Sequence, residues 1–242
     1  MTLDFCRNWT FCKEGETPVT VDLPHDAMLL EKRDGGCGNG VNSGYFPGGK
    51  YAYGKTFELD AAMLGKSVAL HFEGVYQNCK VYVNGKLAGS HRYGYTAFDV
   101  NISDFVESGE NNIRVEVDNS LEPNCRWYSG SGIYRNVWLV KVNPVHVDNW
   151  GTFVHDMKIS SEEATFALEV RIRNSSEADR EAEVSTSIYD DRNKVVTASV
   201  TTLLRVPYTP CYDTRMREAS VDHQFSISNP KLWSPDSPSL YT

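Results

Sequence analysis

Lys80-Val81-Tyr82-Val83-Asn84-Gly85 decides the fold class. Val81 and Val83 recur at every second position, so both fall on one face of an extended strand while Lys80 and Tyr82 fall on the other. Asn84-Gly85 then tolerates positive φ at successive residues, which a two-residue hairpin turn requires. The same period repeats on either side. Val68, Leu70 and Phe72 alternate with Ser67, Ala69 and His71, and Ile113, Val115 and Val117 alternate with Asn112, Arg114 and Glu116. Each stretch reads as a half-buried antiparallel strand, so the chain is expected to be all-β.

Val137 to Val142 is apolar at nearly every position apart from Lys141, as expected of a strand covered on both faces or one that closes a domain. Asn143-Pro144 interrupts it, and a proline cannot donate to a sheet ladder. We therefore expect one domain over residues 1–143 and a second over residues 144–242. In the second, Phe166, Leu168, Val170 and Ile172 form the cleanest alternation, followed by strands at Val184–Ile188, Val196–Val200 and Val221–Ile227, with a turn at Asp190–Asn193. Short strands at this spacing point to a small sandwich of immunoglobulin size. A length of 242 residues suits two domains.

A net charge of −8 offers no basic field for a phosphate backbone, so nucleic acid is not an expected partner. No window approaches the roughly 20 apolar residues that span a bilayer, and no basic start leads into an apolar run. The expected compartment is the cytoplasm, with no membrane partner. Cys6, Cys12, Cys37, Cys79, Cys125 and Cys211 lack the close pairs of zinc or redox sites, and the histidines show no ligand spacing. No metal and no cofactor are expected.

Gly35 to Gly49 reads as an ordered functional loop, with Asn39, Asn42, Ser43, Tyr45, Phe46 and Pro47 set among its glycines. With it come Leu23-Pro24-His25-Asp26, Phe72-Glu73-Gly74-Val75, Gly94-Tyr95-Thr96-Ala97-Phe98, and above all Arg126-Trp127-Tyr128-Ser129-Gly130-Ser131-Gly132-Ile133-Tyr134-Arg135-Asn136-Val137. Taken in chain order, with Gly44–Gly49 standing for the loop and Val81–Gly85 following Val75, these segments resemble the N-terminal part of glycoside hydrolase family 2, the β-galactosidase and β-glucuronidase family. Leu232-Trp233-Ser234-Pro235-Asp236-Ser237-Pro238-Ser239-Leu240-Tyr241 resembles the family's signature near the close of its second domain.

The resemblance implies a jelly-roll β-sandwich, galactose-binding-like, followed by an immunoglobulin-like β-sandwich. It also implies a catalytic (β/α)8 barrel after them, carrying the two glutamates of a retaining glycosidase. Such a barrel needs roughly 250 further residues. Leu240-Tyr241-Thr242 reads as the beginning of a strand, so we expect a second domain cut short and no catalytic residue here. The expected activity of the full-length protein is hydrolysis of terminal β-linked sugars, first of all as a β-galactosidase. It would meet carbohydrate through the missing barrel, and the family allows a homo-oligomer at full length. A stand-alone carbohydrate-binding module and a purely structural unit are the alternatives.

Trp127 and Tyr128 suit a pyranose, which offers apolar C–H groups to an aromatic face and hydroxyls to neighbouring amide and guanidinium groups. The competing reading has the same segment packing against the barrel. The candidate substrate-binding residues are Asn42, Tyr45, Asn124, Arg126 and Trp127. His25 is expected to be a hydrogen-bonded packing residue.

Overall fold

The computed structural model describes residues 1–208 and 217–242, so Cys211 lies outside the described residues. The chain divides into two compact units, Met1–Val142 and Asn143–Thr242.

Ten strands build unit 1: β1 (Thr2–Asp4), β2 (Trp9–Lys13), β3 (Val19–Val21), β4 (Lys50–Leu59), β5 (Ser67–Phe72), β6 (Cys79–Val83), β7 (Lys86–His91), β8 (Phe98–Asn101), β9 (Gly109–Asp118) and β10 (Val137–Val142). They form two antiparallel sheets, ordered β1-β10-β5-β8 and β3-β2-β4-β9-β6-β7. The inward faces carry the alternation seen in the sequence: Val68, Leu70 and Phe72 from one sheet and Val81, Val83, Ile113, Val115 and Val117 from the other are buried in one continuous core. Asn84 (φ 49°) and Gly85 (φ 78°) make the turn between β6 and β7 in the left-handed region. β10 closes the unit between β1 and β5. Its outer face is only half covered, however: Val137 and Leu139 are buried, whereas Trp138 and Val140 are intermediate.

Unit 2 holds β11 (Val145–Ile159), β12 (Glu163–Asn174), β13 (Arg180–Thr186), β14 (Val200–Val206) and β15 (Glu218–Ser228). β11-β12-β15 form one antiparallel sheet and β13-β14 another. The strand expected at Val196–Val200 lies later in the chain, because β13 pairs Thr186 with Val200 and Arg180 with Val206. Before Val200 the chain is turning. Asp190 Oδ1 accepts from the backbone N–H groups of Arg192 (3.0 Å) and Lys194 (2.9 Å), an aspartate-closed turn where one was expected. The adjacent Leu203-Leu204 breaks the period of two and hides β14 in the sequence. Ile188 falls outside β13, though it is buried.

Candidate functional site

The site begins where β9 ends. Asn119 continues the inward series of Ile113, Val115 and Val117, so the alternation carries a polar side chain into the interior, where it is 1% exposed. A buried amide without partners costs about 1–3 kcal/mol. Asn119 is instead a hub. Its Nδ2 donates to Ser131 Oγ (2.6 Å) and Gly130 O (3.3 Å), and its Oδ1 accepts from Asn124 Nδ2 (2.5 Å) and Gln77 Nε2 (3.3 Å). Its backbone N–H donates to Gly49 O (2.9 Å). A Cβ at Gly48 would overlap the Asn119 carbonyl, so only glycine permits this approach.

Further bonds fix the surrounding loops. Tyr76 and Gly132 exchange backbone hydrogen bonds (2.9 and 2.8 Å). Asn124 donates its backbone N–H to Asn39 Oδ1 (2.7 Å), and Glu122 accepts from the Gly38 N–H (2.5 Å), which docks the glycine-rich loop onto the turn after β9. Asp26 joins the same assembly. Its Oδ1 accepts from the backbone of Met28 (3.0 Å) and Ser131 (2.9 Å), and its Oδ2 accepts from Tyr128 Oη (2.7 Å). His25 is a hydrogen-bonded packing residue, 2.9 Å from Tyr53 Oη, and burial holds its imidazole below its ordinary range.

An aromatic surface rests on this frame. Trp127 is 57% exposed, and its Nε1 donates to Tyr95 Oη (2.7 Å). Tyr95 packs edge-on against Tyr76 (5.2 Å between centroids) and Tyr93 (5.7 Å). Tyr128 packs edge-on against Phe46 (5.7 Å), and the Arg33 guanidinium lies 5.0 Å from the Phe46 centroid. Burial pushes the Tyr76 phenol well above its usual range. Burial and the Asp26 carboxylate do the same at Tyr128, so both hydroxyls stay protonated donors at neutral pH.

The five candidate residues divide. Asn42 is exposed on the 3₁₀ turn Gly40–Ser43, and Tyr45 (φ 66°) is exposed just after it. Arg126 is exposed and makes no hydrogen bond or ion pair among the described residues. Trp127 is exposed beside it. Asn124 is different: its Oδ1 accepts from Tyr76 Oη (2.8 Å) and its Nδ2 is given to Asn119, so its side chain holds the loop together. Asn39, Tyr76, Gln77, Tyr95 and Asn119 were missing from the set. Asn119 had a signal, an asparagine at the inward parity of β9, and so did Tyr95, inside the Gly94–Phe98 segment.

A cleft of about 420 Å³ elsewhere in unit 1 is lined by Phe11, Lys13, Glu31, Lys32, Arg33 and Tyr51. Its least exposed carboxylate, Glu31, is paired with Lys13 (2.5 Å) and accepts from Tyr51 Oη (3.1 Å). Among the described residues no group of three or more His, Cys, Asp or Glu is placed to hold a metal ion. No helix of the described residues is long and apolar enough to cross a membrane.

Residues 43–143 match the family description "Glycosyl hydrolases family 2, sugar binding domain", and residues 145–242 match "Glycosyl hydrolases family 2". The chain belongs to glycosyl hydrolase family 2. Among the family 2 relatives is a β-galactosidase of Bacteroides ovatus, 35% identical over 230 residues that make up 92% of this chain and 25% of that protein. Another is a putative β-glucuronidase of Formosa agariphila, 33% identical over 91% of this chain and 20% of that protein. A solved family 2 structure from Bacteroides cellulosilyticus superposes with a TM-score of 0.87 at 32% identity, covering 99% of this chain and 32% of that one. The chain thus spans about a quarter of the length of the curated relatives it matches. The first family match begins at residue 43, yet β1 and β2 before it pair with β10 and β4, so the folded unit extends ahead of it.

Proposed function

We propose that this chain is the non-catalytic N-terminal portion of a retaining β-glycosidase, a β-galactosidase, and that its Arg126–Tyr128 segment supplies one wall of a sugar site completed by a catalytic barrel. The observation that carries this reading is Trp127, an indole held by Tyr95 with its ring left 57% exposed, next to an Arg126 with no partner among the described residues. An aromatic face receives the C–H side of a pyranose while a guanidinium hydrogen-bonds its hydroxyls. Asn42 and Tyr45 contribute from the docked glycine-rich loop, and Asn124 acts through the loop it positions. The B. ovatus relative, a β-galactosidase, supports the galactoside assignment.

Arg126 also favours a second reading, β-glucuronidase, because an unpaired guanidinium suits the carboxylate of a uronic acid; the F. agariphila relative is named as one. The test uses the protein extended through its barrel and chromogenic β-galactosides and β-glucuronides. On the first reading galactosides turn over faster, and Trp127→Ala lowers kcat/KM about 10-fold or more, a loss of about 1.4 kcal/mol in transition-state stabilisation. Faster glucuronide turnover, lost in Arg126→Gln, selects the second. The chain of 242 residues is expected to hydrolyse neither and to bind galactose no tighter than about millimolar, since one wall buries little of a ligand. A micromolar dissociation constant abolished by Trp127→Ala would instead make it a binding module in its own right.

A further inference from the structure

Gly94 fixes how the loop between β7 and β8 meets water. A Cβ there would overlap the Tyr76 ring, so the backbone is buried against that ring and only glycine permits the approach. The Gly94 carbonyl accepts from Tyr134 Oη (2.7 Å), and the Tyr134 ring in turn fills the space that a Cβ at Gly74 would take. The residues on either side are tied down as well. Arg92 O accepts from the Asn78 N–H (3.2 Å), and Thr96 Oγ1 lies 2.9 Å from His91 Nε2. Positions 92, 94 and 96 are thus anchored, whereas Tyr93 and Tyr95 between them stand 60% and 40% exposed.

These two rings are continuous with the exposed indole. Tyr95 Oη accepts from Trp127 Nε1 (2.7 Å), and the Tyr93 and Tyr95 centroids lie 5.7 Å apart. Single exposed apolar side chains are ordinary, but a contiguous run of them marks a surface that meets a partner. The chemistry of the run narrows that partner. Tyr93, Tyr95 and Trp127 each join an aromatic face to a polar O–H or N–H, and the exposed residues next to them in the chain, Arg92, Thr96 and Arg126, add hydrogen-bonding groups and no branched aliphatic side chain. A pyranose offers the matching surface, C–H groups on its face and hydroxyls at its edge, and a sugar chain repeats that surface at every unit.

We propose that Tyr95 and Tyr93 form a second sugar platform that extends the Trp127 wall, so that the ligand of this face is a β-linked oligosaccharide and not a single sugar. The proposal rests on the reading of Trp127 as a sugar wall. The terminal sugar lies on the indole, and the unit linked to it lies on Tyr95 and Tyr93. Joining both contacts in one molecule turns the second into an intramolecular event at high effective concentration, so affinity rises with the length of the sugar chain. Chain length, more than the identity of the terminal unit, is what this face selects.

The test titrates this chain with galactose, glucose, β-1,4-galactotriose and cellotriose, following the Trp127 indole N–H and the Tyr93 and Tyr95 backbone amides by NMR. Galactotriose should bind at least about 10-fold more tightly than galactose, with shifts at both tyrosines. Tyr93→Phe should keep the gain, and Tyr93→Ala should remove it. If Tyr93→Ala does not fold, Tyr93→Leu, which keeps bulk without an aromatic face, should lose the gain in the same way. A gain for cellotriose over glucose with none for galactotriose over galactose supports the platform and counts against the galactoside assignment, so the two readings fail separately. Trisaccharides that bind no more tightly than their monosaccharides overturn the proposal. So does a gain that survives in Tyr93→Ala or Tyr93→Leu.

Discussion

Unit 1 and unit 2 are both antiparallel sandwiches, yet they hide their apolar residues differently. In unit 1 a four-stranded and a six-stranded sheet face each other, and nearly all the buried hydrophobic residues from Phe5 to Leu139 form one cluster. Among the described residues of unit 2 a three-stranded sheet and a two-stranded one occur, and the clustered buried residues fall into two small groups, one around Val170, Ile172, Val184 and Val206 and the other around Ile188, Phe225 and Ile227. Strand alternation is as clear in β12 as in β9. Alternation nominates an inward face, then, but the width of the opposing sheet decides how much of that face leaves water.

The largest effect should come from testing the two cores directly. Trp9 is fully buried, donates its Nε1 to Phe5 O (2.7 Å) and packs edge-on against Phe5. Trp9→Ala should cost about 5 kcal/mol, the upper end for an aromatic truncation, because its surroundings are covered on all sides. Phe225→Ala, in the smaller cluster, should cost about 3 kcal/mol. Urea unfolding followed by residue-resolved hydrogen exchange gives both values, and a larger loss at Phe225 would erase the distinction between the units.

A second comparison concerns buried charge. In unit 2 Arg173 Nη2 contacts Asp148 Oδ2 (2.9 Å) and Glu218 Oε1 (2.6 Å), side chains only 8% and 11% exposed. Arg173→Met leaves both carboxylates without that cation and should cost about 3 kcal/mol, confined to unit 2. Asp148→Asn keeps the guanidinium paired with Glu218 and should cost distinctly less. Equal losses would mean that the Asp148 contact accounts for the whole effect and that pairing with Glu218 adds nothing.

Asn119→Ala should cost about 1–3 kcal/mol in unit 1 and speed the exchange of the Asn124 and Gln77 side-chain amide protons, since it removes the acceptor of both and the donor to Gly130 O and Ser131 Oγ. Unchanged exchange there would remove Asn119 from the centre of the site.

The smallest effect is one of pH and should appear in both units. Burial holds the His25 and His146 imidazoles below the ordinary 6.5. The unfolded chain therefore takes up these protons more readily, so the stability tied to the neutral rings is present above about pH 6.5 and declines as pH falls through that value. Lowering the pH from about 7.5 to about 5.5 should lower both unfolding midpoints, and His25→Gln should flatten the dependence of unit 1 alone. A midpoint that rises on acidification contradicts the sign.

Much of this was legible in the residues. Val68–Phe72, Val81–Gly85, Ile113–Val117 and Phe166–Ile172 announce their strands, because each has one wet face and one dry one and the period of two records it. β14 was missed for the opposite reason, since Leu203 is 68% exposed and breaks the period. At the site, Arg126 and Trp127 could be nominated as exposed residues from their chemical type. The inward turn of Asn124 could not, because it depends on Tyr76, 48 residues earlier, which meets Asn124 only when β9 ends beside the Tyr76–Gln77 turn.

The bond from Trp127 Nε1 to Tyr95 Oη has one more consequence. A large ring on a loose loop gives up its rotational freedom when something settles on it, and that lost entropy weakens the association. Here the indole is already oriented in the free protein, with Tyr95 itself wedged between Tyr76 and Tyr93. The broad face of the ring is thus pre-organised, and most of the entropic penalty for ordering it falls on folding instead of on the encounter with a partner.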